Sequence, residues 1–391
     1  MNKASKGSRV YLIVVVGLFS LGTGIIATVV PLFAGRVGGS HLDVGMLGLF
    51  YGIAYLASAI PSGLMSDRLG TKNIMLAGMA FTLASYLGYS ASSTIPHLGA
   101  ARVLEGIGWA TWWCSLEALT THMATEKGSG RLMGFISTVY GSGFVGGSIL
   151  AGLISAGLGH GFAFRAALAL SLLATVMFYA LVRIPRQTHD EQAQASARQG
   201  TEAPRGLMAL VPYIVAVLYS FAMHATMVLL PLYALGILGT EAMVGVLMAT
   251  FWFGRVVAFT TAGMMSDRYG SVPVLMFALG IAVVASVLVG TLTHGMAMIA
   301  SAFALGVGLG SVFPACIALI SRCVPAHRRG AATGVFETMV GVGMIVGPAT
   351  GGLVAQSLSP GVTYYVNALV MVPALFILAR CLRERRGCPE I

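Results

Sequence analysis

Apolar residues along this chain neither alternate nor keep to one helical stripe; they continue for roughly 20 residues at a time and then give way to short polar breaks. A run of that length matches the thickness of a bilayer core, and its continuity excludes the alternating pattern of a membrane barrel. The pattern predicts spans at Val10 to Ala34, Val44 to Leu64, Ile74 to Ala91, Leu98 to Met123, Leu132 to Ala156 and Phe162 to Val182. It continues with Leu207 to Leu235, Val244 to Met265, Val274 to Leu292, Met296 to Ile320, Ala331 to Ala355 and Thr363 to Leu378. The expected fold class is therefore an all-α membrane protein with twelve transmembrane helices.

The polar breaks show that the chain is written twice. Gly63-Leu64-Met65-Ser66-Asp67-Arg68-Leu69-Gly70 returns 200 positions later as Gly263-Met264-Met265-Ser266-Asp267-Arg268-Tyr269-Gly270. The same offset relates Pro31-Leu32 to Pro231-Leu232, Val44-Gly45 to Val244-Gly245, and Gly141, Gly143, Gly147 and Gly152 to Gly341, Gly343, Gly347 and Gly352. The duplication predicts two pseudo-symmetric six-helix bundles, residues 1–183 and 207–391, joined by a polar linker at 184–206. Parallel repeats in a membrane protein point to halves that rock against each other around a central site.

Composition adds a solvent and an orientation. Hydrophobic residues make up 57% of the chain and charged residues 9%, a balance that a water-soluble domain of this length does not have. With the N-terminus inside, of the 23 Lys and Arg only Arg36 and Arg165 fall in outer loops, and Arg102 and Arg255 fall within spans. Both termini are thus expected to be cytoplasmic, in the cytoplasmic (inner) membrane of a bacterium. The net charge of +10 is this positive-inside excess, attracted to anionic lipid head groups; it requires no nucleic-acid partner. Lys3, Lys6 and Arg9 precede the first apolar run as in a secretory signal, but the run is too long and lacks a cleavage site, so a retained helix is expected. The five cysteines have no metal or disulfide spacing, and no phosphate loop, zinc cluster or nucleophile elbow is present. No cofactor, metal or enzymatic activity is expected.

The motifs carry a family resemblance. Asp67-Arg68-Leu69-Gly70 resembles the signature that the major facilitator superfamily places between helices two and three, and Asp267-Arg268 with Gly270 resembles its weaker copy between helices eight and nine. Arg102 followed by Gly106 and Gly108 is similar to the family's fourth-helix motif. Gly343, Gly347 and Pro348 resemble the glycine-proline motif of the family's proton-driven drug exporters, although here on helix eleven; the helix-five copy has Ser148 in place of proline and Ala151 in place of glycine. The resemblance implies a gate at the first turn, bracing one state against helix eleven, with Asp67, Arg68, Gly70 and Lys72 as its parts. Thr71 stands where the family usually has arginine, and Asp267, Arg268 and Gly270 form a lesser counterpart. A turn-fixing role alone also accounts for these residues.

Ionisable residues inside a bilayer need a partner or a water-filled cavity, because a charge at its centre costs at least about 2.5–3.5 kcal/mol. They are Arg102, Glu105, Glu117, His224, Arg255 and Glu337. Arg102, Glu105, Trp109, Trp112 and Leu116 follow one helical face, with Trp113 beside it, and the resemblance turns that face toward the substrate. Glu105 is then the leading proton-coupling candidate with Arg102; a permanently neutralised Arg102–Glu105 pair is the alternative. Glu117 is expected to meet Arg68 or Arg131 in a static or gating ion pair. Arg255 and Glu337, at similar depth, are expected to pair or to bridge through water, and Glu337 and His224 are further proton-coupling candidates. Gly143 with Gly147, and Gly343 with Gly347, place small residues one turn apart for close helix packing.

The expected function is secondary transport: proton-coupled export of a small amphipathic compound by a protein functional as a monomer, with Trp109, Trp112, Trp113 and Arg255 in the substrate cavity. Proton-coupled uptake or facilitated exchange of a metabolite is the alternative within transport. A non-transporting sensor or assembly scaffold is the alternative outside it.

Overall fold

A computed structural model describes residues 3–123, 129–182, 207–324 and 329–384. Twelve α-helices account for nearly all of them: α1 Lys3–Arg36, α2 His41–Leu69, α3 Thr71–Ala91, α4 Ile95–Met123, α5 Ser129–Leu158 and α6 His160–Leu181. The second set is α7 Leu207–Leu238, α8 Glu241–Tyr269, α9 Ser271–Thr291, α10 Gly295–Cys323, α11 Arg329–Ser357 and α12 Val362–Glu384. The expected linker at 184–206 lies outside the described residues.

Most helices begin or end about a turn beyond the predicted spans, because the helix continues where the apolar run stops. At the start of α2, Ser40 Oγ accepts from the Asp43 amide at 3.2 Å while the Asp43 carboxylate accepts from the Ser40 amide at 2.8 Å. This capping box satisfies donors that the helix leaves unpaired and moves its start ahead of Val44. Thr240 caps α8 in the same way, accepting from the Met243 amide at 3.3 Å. Both α2 and α8 end on a glycine with positive φ, Gly70 at 86° and Gly270 at 87°, so the next helix starts at the following residue.

Among the described residues, eleven helices are long and apolar enough to cross a membrane. The exception is α4, whose Arg102, Glu105 and Glu117 interrupt its apolar run. It is the helix that α2 and α3 both cover. Large apolar side chains such as Leu153, Val176, Phe277, Leu369 and Phe376 are exposed, which is the surface a hydrocarbon solvent requires.

Packing repeats with the sequence. In the first set α1 packs on α5 and α6, α4 on α2 and α3, and α3 on α6; in the second α7 packs on α11 and α12, α10 on α8 and α9, and α9 on α12. Glycines make the closest approaches. A Cβ on Gly143 would lie 2.6 Å from Ser20 Cβ, and one on Gly147 2.9 Å from Gly24 Cα, both across α1–α5. One on Gly343 would lie 2.6 Å from Ser220 Cβ, and one on Gly347 2.9 Å from Phe221 Cα, both across α7–α11.

The two sets meet along two seams, α2 with α11 and α5 with α8. Near the α1–α2 and α7–α8 loops these seams are tight. A Cβ on Gly45 would lie 2.8 Å from Gly352 Cα, and one on Gly245, its counterpart, 2.8 Å from Gly152 Cα. Gly63, Gly134, Gly263 and Gly334, toward the opposite end of the same four helices, have nothing within 4 Å of a Cβ position among the described residues. The seams are therefore closed at the loop end and slack toward the Asp-Arg turns.

Candidate functional site

Between the two sets lies a cavity of about 180 Å³, walled by α1, α2, α4, α5, α7, α8, α10 and α11. Its lining obeys the 200-residue offset: Thr23 and Met223, Ala27 and Met227, Tyr55 and Arg255, Trp113 and Phe313, Ser137 and Glu337, Tyr140 and Val340, and Phe144 and Met344 all face it. In two of these pairs one member is ionisable and the other is not. The charge of the cavity is thus laid over a symmetric wall.

On the α4 wall, Arg102 Nη1 stands 2.8 Å from Glu105 Oε2, and both side chains are almost wholly buried. Tyr89 of α3 donates its hydroxyl to the same carboxylate oxygen. The guanidinium also lies over the rings of Tyr51 and Tyr89, 5.8 and 5.9 Å from their centroids. Glu105 is thereby neutralised and hydrogen-bonded at once, which is what a buried carboxylate needs to persist. In this state Arg102 and Glu105 are paired with each other rather than held apart.

Trp109 and Trp113 line the cavity with their rings stacked 5.8 Å apart, and Tyr140 closes on Trp113 at 5.1 Å. Trp112 does not line it. Gly78 and Gly108 draw α3 against α4, and Trp112 on that side is fully buried, with Phe19 at 4.8 Å. The face that meets the cavity therefore runs Arg102, Glu105, Trp109, Trp113, and Leu116 is buried with Trp112.

On the opposite wall, Arg255 and Glu337 both line the cavity, but no ion pair joins them within 4.0 Å among the described residues. Of the two expected arrangements, direct pairing is not the one seen in this state. Arg255 rests against the faces of Trp252 and Phe259, 4.6 and 5.3 Å from their centroids. Glu337 Oε1 is buried without a hydrogen-bond partner among the described residues. His224 also lines the cavity, with Nδ1 2.9 Å from the Ser220 carbonyl. A carbonyl only accepts, so Nδ1 carries a proton and Nε2 of the neutral ring is an acceptor.

The Asp-Arg turns differ in what they hold. Lys72 Nζ donates to the carbonyls of Tyr179 and Val182 at 2.9 and 2.6 Å, capping the end of α6 in its own set rather than bridging a seam. Arg68 is exposed. The side chains of Asp67 and Arg131 lie outside the described residues. Glu117 is half-buried on α4 and does not line the cavity. Asp267 lies 3.2 Å from Arg322 Nη2 of α10, again within one set, with its side chain 82% exposed, and Arg268 lies over Tyr269. An ion pair that open to water contributes about 0–1 kcal/mol. Asp267→Asn is accordingly expected to leave flux within about twofold of wild type, measured in vesicles at matched protein level.

A second polar cluster ties the sets together at the loop end. Arg36 at the end of α1 lies 3.3 Å from His160 Nδ1, and His160 Nε2 lies 3.1 Å from Glu241 Oε1 at the start of α8. A guanidinium only donates, so His160 accepts on Nδ1 and carries its proton on Nε2, which lies at ion-pair distance from the carboxylate without the alignment of a hydrogen bond. The counterparts by the offset are Gly236, Pro360 and His41, so the other seam has no such link. Nothing in the linear pattern marks this triad, because its members are far apart in sequence.

A helical chain of two repeats, with a charged and aromatic cavity between them and an apolar outer surface, is a polytopic membrane protein built around an enclosed site. It belongs to the Major Facilitator Superfamily, whose profile matches residues 12–239 and again 212–390. Its relatives include Multidrug resistance protein 1 of Bacillus subtilis, 23% identical with 85% of this chain and 86% of that protein covered. The Quinolone resistance protein NorA of Staphylococcus aureus is 21% identical, with 86% of each chain covered. The fold is shared with the nucleoside transporter NupG, at a TM-score of 0.78 and 14% identity over 95% of this chain and 99% of that one. It is shared as well with a bacterial homologue of the lysosomal transporter Spinster in an inward-facing, occupied conformation, at a TM-score of 0.75 and 14% identity over 98% of each chain. The chain is an integral membrane transporter of this superfamily and not an enzyme.

Proposed function

We propose that this protein exports a small amphipathic compound by alternating access, driven by protons, with residues 1–183 and 207–391 as two six-helix bundles that rock about the cavity. The observation that carries the reading is the pair of seams, closed by backbone contact at Gly45–Gly352 and Gly245–Gly152 and slack at the other end of the same helices. With the termini cytoplasmic, this is an inward-facing state. Its counterpart needs the same helices to separate at the loop end and close at the Asp-Arg turns. Export is favoured over uptake by the relatives whose names carry drug resistance. Substrate accumulation by proteoliposomes under an imposed pH difference tests it; accumulation that ignores the pH difference would sink proton coupling.

The proton site follows from the walls. Glu105 is committed to Arg102 and Tyr89, whereas the Glu337 oxygen without a partner is the carboxyl best placed to take up and release a proton as water enters and leaves. His224, with an accepting Nε2 on the same wall, is positioned to share it.

The Arg36–His160–Glu241 cluster spans both bundles at the loop end, so opening that end must break it. Glu241→Ala is expected to raise the accessibility of the cavity from that side up to about fivefold, the upper worth of one partly exposed ion pair. Thiol labelling of a cavity cysteine reads it, and unchanged labelling would leave the cluster without a latching role.

A further inference from the structure

We propose that Arg255 binds the negatively charged group of the substrate, making the cavity a receptor for aromatic organic anions. This rests on the transport reading above and names the substrate class.

Four ionisable groups other than His224 face the cavity: Arg102, Glu105, Arg255 and Glu337. The first two cancel. Arg255 has no such compensation. It is only 6% exposed, yet no carboxylate lies within 4.0 Å of it among the described residues. Its in-plane partners are weak: Nη1 points at the Met223 sulfur, Nη2 reaches the Tyr219 hydroxyl at 3.5 Å, and Nε is buried with no hydrogen-bond partner among the described residues. The rings of Trp252 and Phe259 answer its charge across their faces, but they accept none of the five N–H bonds that radiate in the guanidinium plane.

Arg102 differs from it in one respect: its Nε is also buried without a partner among the described residues, but its charge is answered by a carboxylate at 2.8 Å, with tyrosines over its faces. Arg255 has the aromatic faces and lacks the carboxylate. A ligand carboxylate or sulfonate supplies the missing half, in the two-pronged geometry that guanidinium recognises best. The pseudo-equivalent position, Tyr55, carries no charge, so the cation is confined to one wall. The ligand's orientation follows: its anion toward α8, its ring among Trp109, Trp113 and Tyr140. A cationic ligand would meet the Arg255 charge there; Glu105 is already paired with Arg102, which leaves Glu337, the proposed proton site, as the one carboxyl for which it would compete with the proton.

The test uses the full-length protein purified in nanodiscs. All 4 tryptophans lie at the cavity or, for Trp112, against Trp109 with ring centroids 5.2 Å apart, so intrinsic fluorescence reports occupancy. Three quenchers of one shape are titrated: 4-nitrobenzoate, 4-nitrobenzamide and 4-nitrobenzylammonium. The benzoate is expected to bind about tenfold or more tighter than the amide, the gain of a charge-assisted hydrogen bond, and the ammonium weakest. Arg255→Gln should erase the preference of benzoate over amide, and Arg255→Lys should keep part of it. A benzylammonium that binds as well as the benzoate, no saturable quenching by the benzoate, or an unchanged preference in Arg255→Gln overturns the proposal. If Arg255→Gln does not fold, the wild-type ranking decides alone. Flux of the same compounds into proteoliposomes separates the two layers. Benzoate binding without flux removes the transport reading and leaves the anion site, whereas flux with a preference for the ammonium does the reverse.

Discussion

Glu337→Gln is expected to abolish pH-driven accumulation while leaving substrate exchange across the membrane intact. The amide preserves the shape of the side chain and its place in the wall, but it has no proton to give up. Glu337 Oε1 has no hydrogen-bond partner among the described residues, so the substitution breaks no bond at that oxygen and protein levels should hold. Glu105→Gln has the opposite expectation. It leaves Arg102, which is 7% exposed, without its counter-charge and weakens the bond from Tyr89, so loss of stability should come before loss of coupling. Accumulation under an imposed pH difference, set beside exchange at equal pH, reads both. A fully coupled Glu337→Gln protein would move the proton site to His224 or away from this wall.

Gly245→Leu should stop transport for a mechanical reason. Any Cβ at that position lies 2.6 Å from the Ser148 carbonyl oxygen and 2.8 Å from Gly152 Cα, both backbone atoms that no rotamer change moves aside. Overpacking of this kind costs about 1–3 kcal/mol, which lowers the population of the loop-end-closed state roughly 5–150-fold. The helices can relieve it by parting at the loop end, so the protein should still fold while held away from the state described here. Gly263→Leu on the same helix is the control, because nothing lies within 4 Å of its Cβ position. Equal transport by the two variants would remove the seam from the mechanism.

The twelve helices were legible because the bilayer imposes a minimum apolar length, and each predicted span overlaps one observed helix. Their ends were less legible, since capping by Ser40 and Thr240 extends a helix with residues that hydropathy counts as loop. The α4 wall was read with its face turned too far. A periodicity of three and four residues admits both Trp112 and Trp113, and only the approach of α3 through Gly78 decides between them. The contact of Arg102 with Glu105 was legible because it is local, whereas a direct contact of Arg255 with Glu337 across helices is not present in this state. Arg255 and Glu337 share a depth, but depth does not fix direction across a cavity. Lys72 reaches the end of α6 because helix packing brings that end beside the turn, a relation that no spacing encodes. One signal in the sequence reaches further than spacing does: applying the 200-residue offset to Trp113 and Arg255 leads to Phe313 and Tyr55, which also line the cavity.

Alternating access itself is tested most directly at Ala27, which lines the cavity on α1. In a cysteine-free protein carrying Ala27→Cys, a membrane-impermeant thiol reagent is applied to right-side-out and to inside-out vesicles. The resting protein should label from the side of the Asp-Arg turns only. The Gly245→Leu background should reverse the preference, and a transported substrate with a pH difference should make the residue reachable from each side in turn. Labelling from both sides at equal rates in one locked state, or no labelling from the loop side under any condition, would contradict the account.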